Sequence, residues 1–490
     1  MMKKYLLVTV LGMALVSSCS VTTSANSSEN TSNSIASEST SSGNSDSKKF
    51  NFDYGNDDFK EFFSKDSKVE IELNFKNESL YRLAQYGVND FTHQEMYHPC
   101  DVKIVVNSKE TVFKDVACRM KGNTSRNNNF IDQNGYFTSK ERLCHFKLAF
   151  DKTFDSPKTN DYYIKTYTDS EKEEIDKRRL FSMKKLDLKW NKNYDVSFTK
   201  ELYALDCFRE ENVISQHGNL VNLKISTEVD EVTMPYLAYE VIDKTLLKNL
   251  FDKEAQKGDL YKCCYTSAGK ADLTETNASN TGEESNSFSP TYEIKTNEDT
   301  SNHESLSNFI TKLGVRNVDA NTIKKDIDEL VDVDNFLRFA AMSYIVGSPD
   351  DYRNNYNNYY LYFDSSTNKA YFLPYDNDRV FGIKKDWPID TSNQEMCSDR
   401  LIGTATNDGQ GTPLVRRTIV PGSKTRPIIE EYQNIYKDYC REFAAKYLNV
   451  ERFKEYTSSF YYSSKTIDET GENMSFKDYA LNKNNAISRG

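Results

Sequence analysis

Carboxylates and amides crowd one stretch of the chain, which reads SPDDYRNNYNNYYLYFDSSTNKAYFLPYDNDRVFG over residues 348–382. Asp350 and Asp351 open it, and Asp376 and Asp378 stand near its end. Two carboxylates at i and i+2 of an extended segment point the same way. Placed together they repel unless a cation neutralises them, and oxygen ligands of this kind suit Mg²⁺ or Mn²⁺. A turn rich in Asp and Asn, with its side chains solvated, is the competing reading of the same composition.

Elements on either side must hold these groups. Apolar residues recur at helical spacing over 321–346, where Leu330, Phe336, Leu337, Ala340, Ala341 and Tyr344 share a face. Gly347-Ser348-Pro349 stops that helix. A hairpin over 358–364 and 370–374 follows, turning through 365–368. Helix, Asp loop, hairpin, then a metal-binding Asp is the order found in protein kinases, where the loop Asp precedes an Asn by five positions. Asp350 and Asn355 have that spacing. Upstream, 101–106 and 111–120 form a predicted hairpin joined near Asn107-Ser108, and 143–150, 220–226 and 232–242 read as strands. Residues 197–211 and most of 426–462 read as helix. The fold class expected is α+β, β-rich early and helical late.

The termini and the composition restrict where such a site works. Lys3 and Lys4 precede an apolar run over 5–16, too short to span a bilayer, and the run ends in Val16-Ser17-Ser18-Cys19. This is the pattern of a lipoprotein leader over 1–19, with Cys19 the acylated residue, membrane-anchored and exported to the cell surface or periplasmic side. Residues 20–48 are almost all small and polar and read as a disordered tether. The remainder, 49–490, is one domain with a polar surface insert near 266–290. A formal charge of −11 leaves no basic excess for nucleic acid. Eight further cysteines do not define their own pairing, and buried thiols with a disulfide or two are expected. The five histidines form no HExxH, so zinc has no support.

From about Lys68 to Tyr447 the sequence resembles the CotH family of atypical kinase-like proteins, named for a spore-coat protein. The resemblance rests on Arg119-Met120-Lys121-Gly122-Asn123-Thr124-Ser125, His145-Phe146-Lys147-Leu148, Leu186-Asp187-Leu188-Lys189 and Ala238-Tyr239-Glu240-Val241-Ile242-Asp243. Tyr292-Glu293-Ile294-Lys295, Asn358-Tyr359-Tyr360-Leu361-Tyr362 and Pro374-Tyr375-Asp376-Asn377-Asp378 complete it in the same order. The resemblance implies an atypical protein kinase-like domain that binds ATP with Mg²⁺ or Mn²⁺ and phosphorylates Ser or Thr of a protein substrate. It puts the metal on Asp376, with Asp378 assisting and Asn355 or Asn358 as a further contact. Asp350 or Asp351 would orient or deprotonate the substrate hydroxyl. Kinase logic then gives the phosphates to Lys147, paired with Glu240, and makes Arg119 and Lys121 further phosphate contacts. The family's paired lysines before that strand are replaced here by Glu141-Arg142-Leu143-Cys144, which makes Arg142 an alternative. Residues 122–129 are the one candidate cover for the phosphates. A non-catalytic surface binding or adhesion protein, or a structural envelope protein, on the same fold is the alternative function.

Overall fold

Val69, Ile71 and Leu73 alternate with Glu70, Glu72 and Asn74, and this period of two makes strand β1 (Val69–Asn74) with one face buried. The same alternation builds β2 (His98–Val106), β3 (Lys109–Lys121), β4 (His145–Ala149), β5 (Lys185–Lys189), β6 (Gly218–Ser226) and β7 (Glu231–Glu240). The seven strands close into a barrel in the order β1-β2-β3-β4-β5-β7-β6. Only the closing pair, β1 with β6, is parallel. Asn107 and Ser108, both at positive φ, make the tight turn between β2 and β3. Inside the barrel pack Ile104, Cys118, Met120, Phe146, Leu148, Leu186, Leu188 and Leu223. Each buried aliphatic or aromatic side chain of this kind contributes roughly 1.5–3 kcal/mol.

The computed structural model describes residues 47–89, 93–285, 288–383, 401–402, 412–467 and 473–490. Cys19, the leader, nearly all of the tether and Cys397 lie outside the described residues. The chain from Asn44 to Gly490 forms one compact unit. Among the described residues no helix is long and apolar enough to cross a membrane. Among the described residues seven cysteines are free thiols, six buried and Cys264 half-buried.

The second half is a small sheet set against helices. Its strands are β8 (Leu260–Cys263), β9 (Thr281–Gly282), β10 (Tyr292–Ile294), β11 (Tyr359–Phe363) and β12 (Ala370–Pro374), in the order β12-β11-β8-β10-β9. The polar stretch 266–290 is therefore partly built in, since it supplies β9 and buries Ala271 and Leu273. The region 321–346 is two helices, Ala320–Leu330 and Val333–Val346, because Asp332 caps the second one by accepting from the Asn335 backbone N–H at 3.1 Å. Gly347 ends the second helix at φ +67° and donates its N–H to Ser343. The tail holds the helices Glu430–Tyr447 and Val450–Ser458.

Register aligns the charged residues on the barrel's outer face. Arg119 lies opposite Lys147, Lys147 opposite Asp187, and Asp187 opposite Tyr239. Because β5 alternates as Lys-Leu-Asp-Leu-Lys, Lys185, Asp187 and Lys189 face one way while Leu186 and Leu188 fill the core. Tyr360 and Tyr375, from the β11–β12 hairpin, stand against this face, with Tyr375 near Lys121.

Candidate active site

Lys189 is the centre of the site. Its Nζ lies 2.8 and 2.9 Å from the two carboxylate oxygens of Glu201 and 2.5 Å from Oδ1 of Asp376. Glu201 comes from the helix Lys200–Glu210, which begins where Asp195 accepts from the backbone of Ser197 and Lys200. Burial alone would strip the proton from Lys189. The charges of Asp376 and Glu201 outweigh it and hold the ammonium well above the usual lysine range. Desolvation raises the Glu201 carboxyl, whereas at Asp376 the charge and hydrogen bond of Lys189 overcome desolvation and hold it below the carboxylate range.

A cavity of about 130 Å³ opens beside this contact. Lys121, Lys189, Lys192, Asp350, Asn358, Asp376 and Asp378 contribute charged and amide groups to its wall, and Gly122 to Ser125 form its rim. Asp376 sits at φ +53°, so its segment is not extended. A left-handed turn after β12, rather than strand alternation, brings Asp376 and Asp378 to one cavity. Desolvation and the charge of Asp376 push the Asp378 carboxyl up to about 7. Asp376 and Asp378 bring two carboxylates to one cavity, oxygen ligands of the kind a divalent cation takes. Among the described residues no three His, Cys, Asp or Glu converge on one point. The residues therefore fit an ion that is completed by phosphate oxygens and water, not a closed protein cage.

Asp350 is held by a fan of amides. Its Oδ1 accepts from Asn355 at 2.6 Å and Asn357 at 3.0 Å, and its Oδ2 accepts from Asn358 at 3.1 Å. Burial lifts its carboxyl above the ordinary value. Its neighbour Asp351 is turned into the loop, where Oδ1 accepts from the backbone and side-chain nitrogens of Asn354 at 2.9 and 3.0 Å. Asp351 lines no part of the cavity, and desolvation pushes its carboxyl up to about 7.

Several sequence expectations are redistributed. Lys147 does not meet Glu240. It lies 3.2 Å from Asp187, which also binds Lys121, while Glu240 accepts from Tyr54 at 2.6 Å and contacts His217 at 3.1 Å. A buried lysine–glutamate ion pair is made by Lys189 and Glu201 instead. Arg119 pairs with Glu95 and, with Lys147, lines a wider cavity of about 570 Å³. That cavity runs to Val241, Ile242 and Asp243, the segment leaving the barrel after β7, and adjoins the first through the shared Lys121–Asp187–Lys147 bridge. Asn355 lines neither cavity and serves Asp350, whereas Asn357, which the sequence did not single out, does line the first. The alternation of residues 185–189 was the available signal for Lys189. Glu201 had none, because its partner is fixed only by packing.

A barrel with a charged outer face, a buried helix leading to an Asp loop, and a lysine joining a helix glutamate to a cleft aspartate define an atypical kinase-like protein. The chain matches the CotH kinase protein family over residues 149–479, about two thirds of its length, and belongs to that family. Membership implies ATP as phosphoryl donor and protein as acceptor. The Arg119–Ser125 segment and Lys147 lie upstream of the matched region. The chain matches no curated protein.

Proposed function

We propose that this protein is an exported, lipid-anchored kinase that transfers the γ-phosphoryl group of ATP to Ser or Thr of surface proteins. The observation that supports this best is Lys189, joined at once to Glu201 and Asp376 in a cavity that also holds Asp350. In this reading the wide cavity beside Val241 to Asp243 takes the base and ribose, and Lys121 and Lys189 meet phosphate oxygens. Asp350, oriented by its three asparagines, accepts the hydroxyl proton of the acceptor. The acceptor oxygen bonds to the γ-phosphorus as the bond to the bridging oxygen breaks, and ADP leaves. Asp376, Asp378 and the amide oxygen of Asn358 would hold Mg²⁺ or Mn²⁺, which supplies charge neutralisation on the phosphates.

The test uses the full chain, γ-labelled ATP, a serine-rich acceptor and Mn²⁺ or Mg²⁺, beside Asp376→Ala. Labelled product is expected from the wild type and a loss of at least about 100-fold in the variant. An unlabelled acceptor, with a melting curve that nucleotide and metal do not move, sinks the proposal. Anchoring rests on Cys19 after its short apolar run. Cells fed labelled palmitate should label the wild type but not Cys19→Ala, and an unlabelled wild type removes the anchor.

A further inference from the structure

The phosphate-side cavity continues into a second one. Thr124, Ser125 and Lys192 belong to the walls of both. The second cavity, about 360 Å³, adds Arg126, Arg142, Trp190, Tyr194, Asn127, Asn129 and Ser139. Its lining holds three cations and not one carboxylate, in a chain of net charge −11. The wall is built rather than incidental. Arg126 is pinned by its Nε to the Gly122 carbonyl at 2.6 Å, by other nitrogens to Gly87 and Gln94, and by an ion pair to Glu95. Asn127 holds the Arg142 carbonyl at 2.8 Å, and Lys192 donates to Thr124 at 2.5 Å. The Trp190 backbone N–H is fixed on His145 at 3.0 Å. Among the described residues the Arg142 guanidinium has no carboxylate partner.

We infer that this second cavity is a subsite for an anionic side chain flanking the acceptor hydroxyl, bound through Arg142 and Lys192. The inference rests on the kinase reading for the order of the cleft. The base and ribose occupy the end at Val241 to Asp243, the phosphates the middle, and the cavity beyond them is left to the acceptor. A guanidinium and an ammonium lining one cavity recognise a carboxylate or a phosphomonoester. The acceptors favoured are therefore Ser or Thr beside Asp or Glu, or beside an already phosphorylated residue.

The full chain is assayed on serine peptides that differ only at a flanking residue, glutamate, phosphoserine or alanine, scanned on both sides. At least one anionic peptide is expected to exceed the alanine peptide about tenfold or more in kcat/KM, through KM. Glutamate and phosphoserine separate the two sources of charge. Arg142→Glu should bring the ratio to about one, and Arg142→Lys should retain most of it. No preference in the wild type, or a preference that Arg142→Glu leaves intact, overturns the inference. Fluorescence anisotropy of the labelled anionic peptide without nucleotide distinguishes the two readings. Binding that depends on Arg142 without phosphoryl transfer removes the kinase and keeps the subsite, whereas transfer without anion preference does the reverse.

Discussion

Lys189 and Asp376 are 187 residues apart and meet at 2.5 Å across the cleft between the barrel and the β11–β12 hairpin. The contact ties the two halves of the fold at the point where phosphate charge would be received. Glu201, on the same ammonium, makes it a buried three-member network. Such a network stabilises only while its charges balance, because each ion has given up its water.

Lys189→Met should therefore cost stability as well as activity. Removing one partner of a buried ion pair costs about 3–5 kcal/mol. Part of that cost is relieved here, because desolvation already favours the protonated Glu201 carboxyl. The double variant Lys189→Met/Glu201→Gln, which removes one of the two carboxylates left without their lysine and keeps Asp376, should regain part of the loss in urea midpoint. Neither variant should transfer phosphate. Equal destabilisation by the single and double variants would show that Glu201 is not the partner that matters.

Asp350 and Asp351 are adjacent in sequence but should respond differently. Asp350→Asn sets an NH2 group against the amides that Asp350 accepts from, so it should lower the melting temperature too, but transfer should fall by about 100-fold or more because the proton acceptor is lost. Asp351→Asn turns an acceptor toward the Asn354 donors into a group that is half donor. It should lower stability by roughly 1–3 kcal/mol and reduce activity only as far as the loop loosens. Single-turnover transfer and calorimetry on the two variants separate these roles. A reversed pattern would move the proton acceptor to Asp351.

The carboxylates were legible in the sequence and their partners were not. Gly347 ends the helix where a stop was expected, and the loop and hairpin follow in order, so Asp350, Asp376 and Asp378 reach one cavity. Asn107 and Ser108 turn the early hairpin for a local reason, positive φ in a two-residue loop. Local signals of this kind survive folding. The lysine–glutamate pair depends instead on how the helix Lys200–Glu210 docks on β5, which no window of sequence records. Lys147 and Glu240 sit on well-marked strands and looked equivalent. The register hands Lys147 to Asp187, while His217 reaches Glu240 across the β6–β7 hairpin and Tyr54 reaches it from a distant segment. The convergence of Asp376 with Asp378 was expected for the wrong backbone reason, since it comes from a left-handed residue.

Lys147 should leave a signature in the pH dependence of stability. Desolvation, opposed by Asp187 and reinforced by the charges of Lys121 and Arg119, brings its ammonium down to about 7. Below that pH the lysine is charged in both the folded and unfolded chain, and folding bears the full penalty. Between about 7 and the ordinary value of 10.5 the unfolded chain binds a proton that the folded chain lacks, so stability rises with pH. Lys147→Met removes this dependence. Its stability relative to the wild type should be greatest below pH 7 and decline through the alkaline window. Urea midpoints for both proteins across that range give the difference directly, and a flat difference would mean that Asp187 keeps Lys147 fully charged.

Gly122 links the barrel to the rim of the phosphate-side cavity and should tolerate no side chain. It follows Lys121 at φ +85°, and a Cβ there would stand 2.1 Å from Oγ of Ser125. Ser125 is buried and donates to the Lys121 carbonyl at 3.2 Å, so it cannot yield without loosening the rim. Gly122→Ala then carries two costs, the collision and a left-handed backbone on a non-glycine residue, the latter about 1–3 kcal/mol. Gly122→Ala/Ser125→Ala removes the hydroxyl that collides and leaves the backbone cost. The double variant should recover part of the melting temperature lost by the single one and part of its nucleotide-dependent shift. No recovery would mean that backbone strain alone sets the requirement for glycine, and full recovery that the collision does.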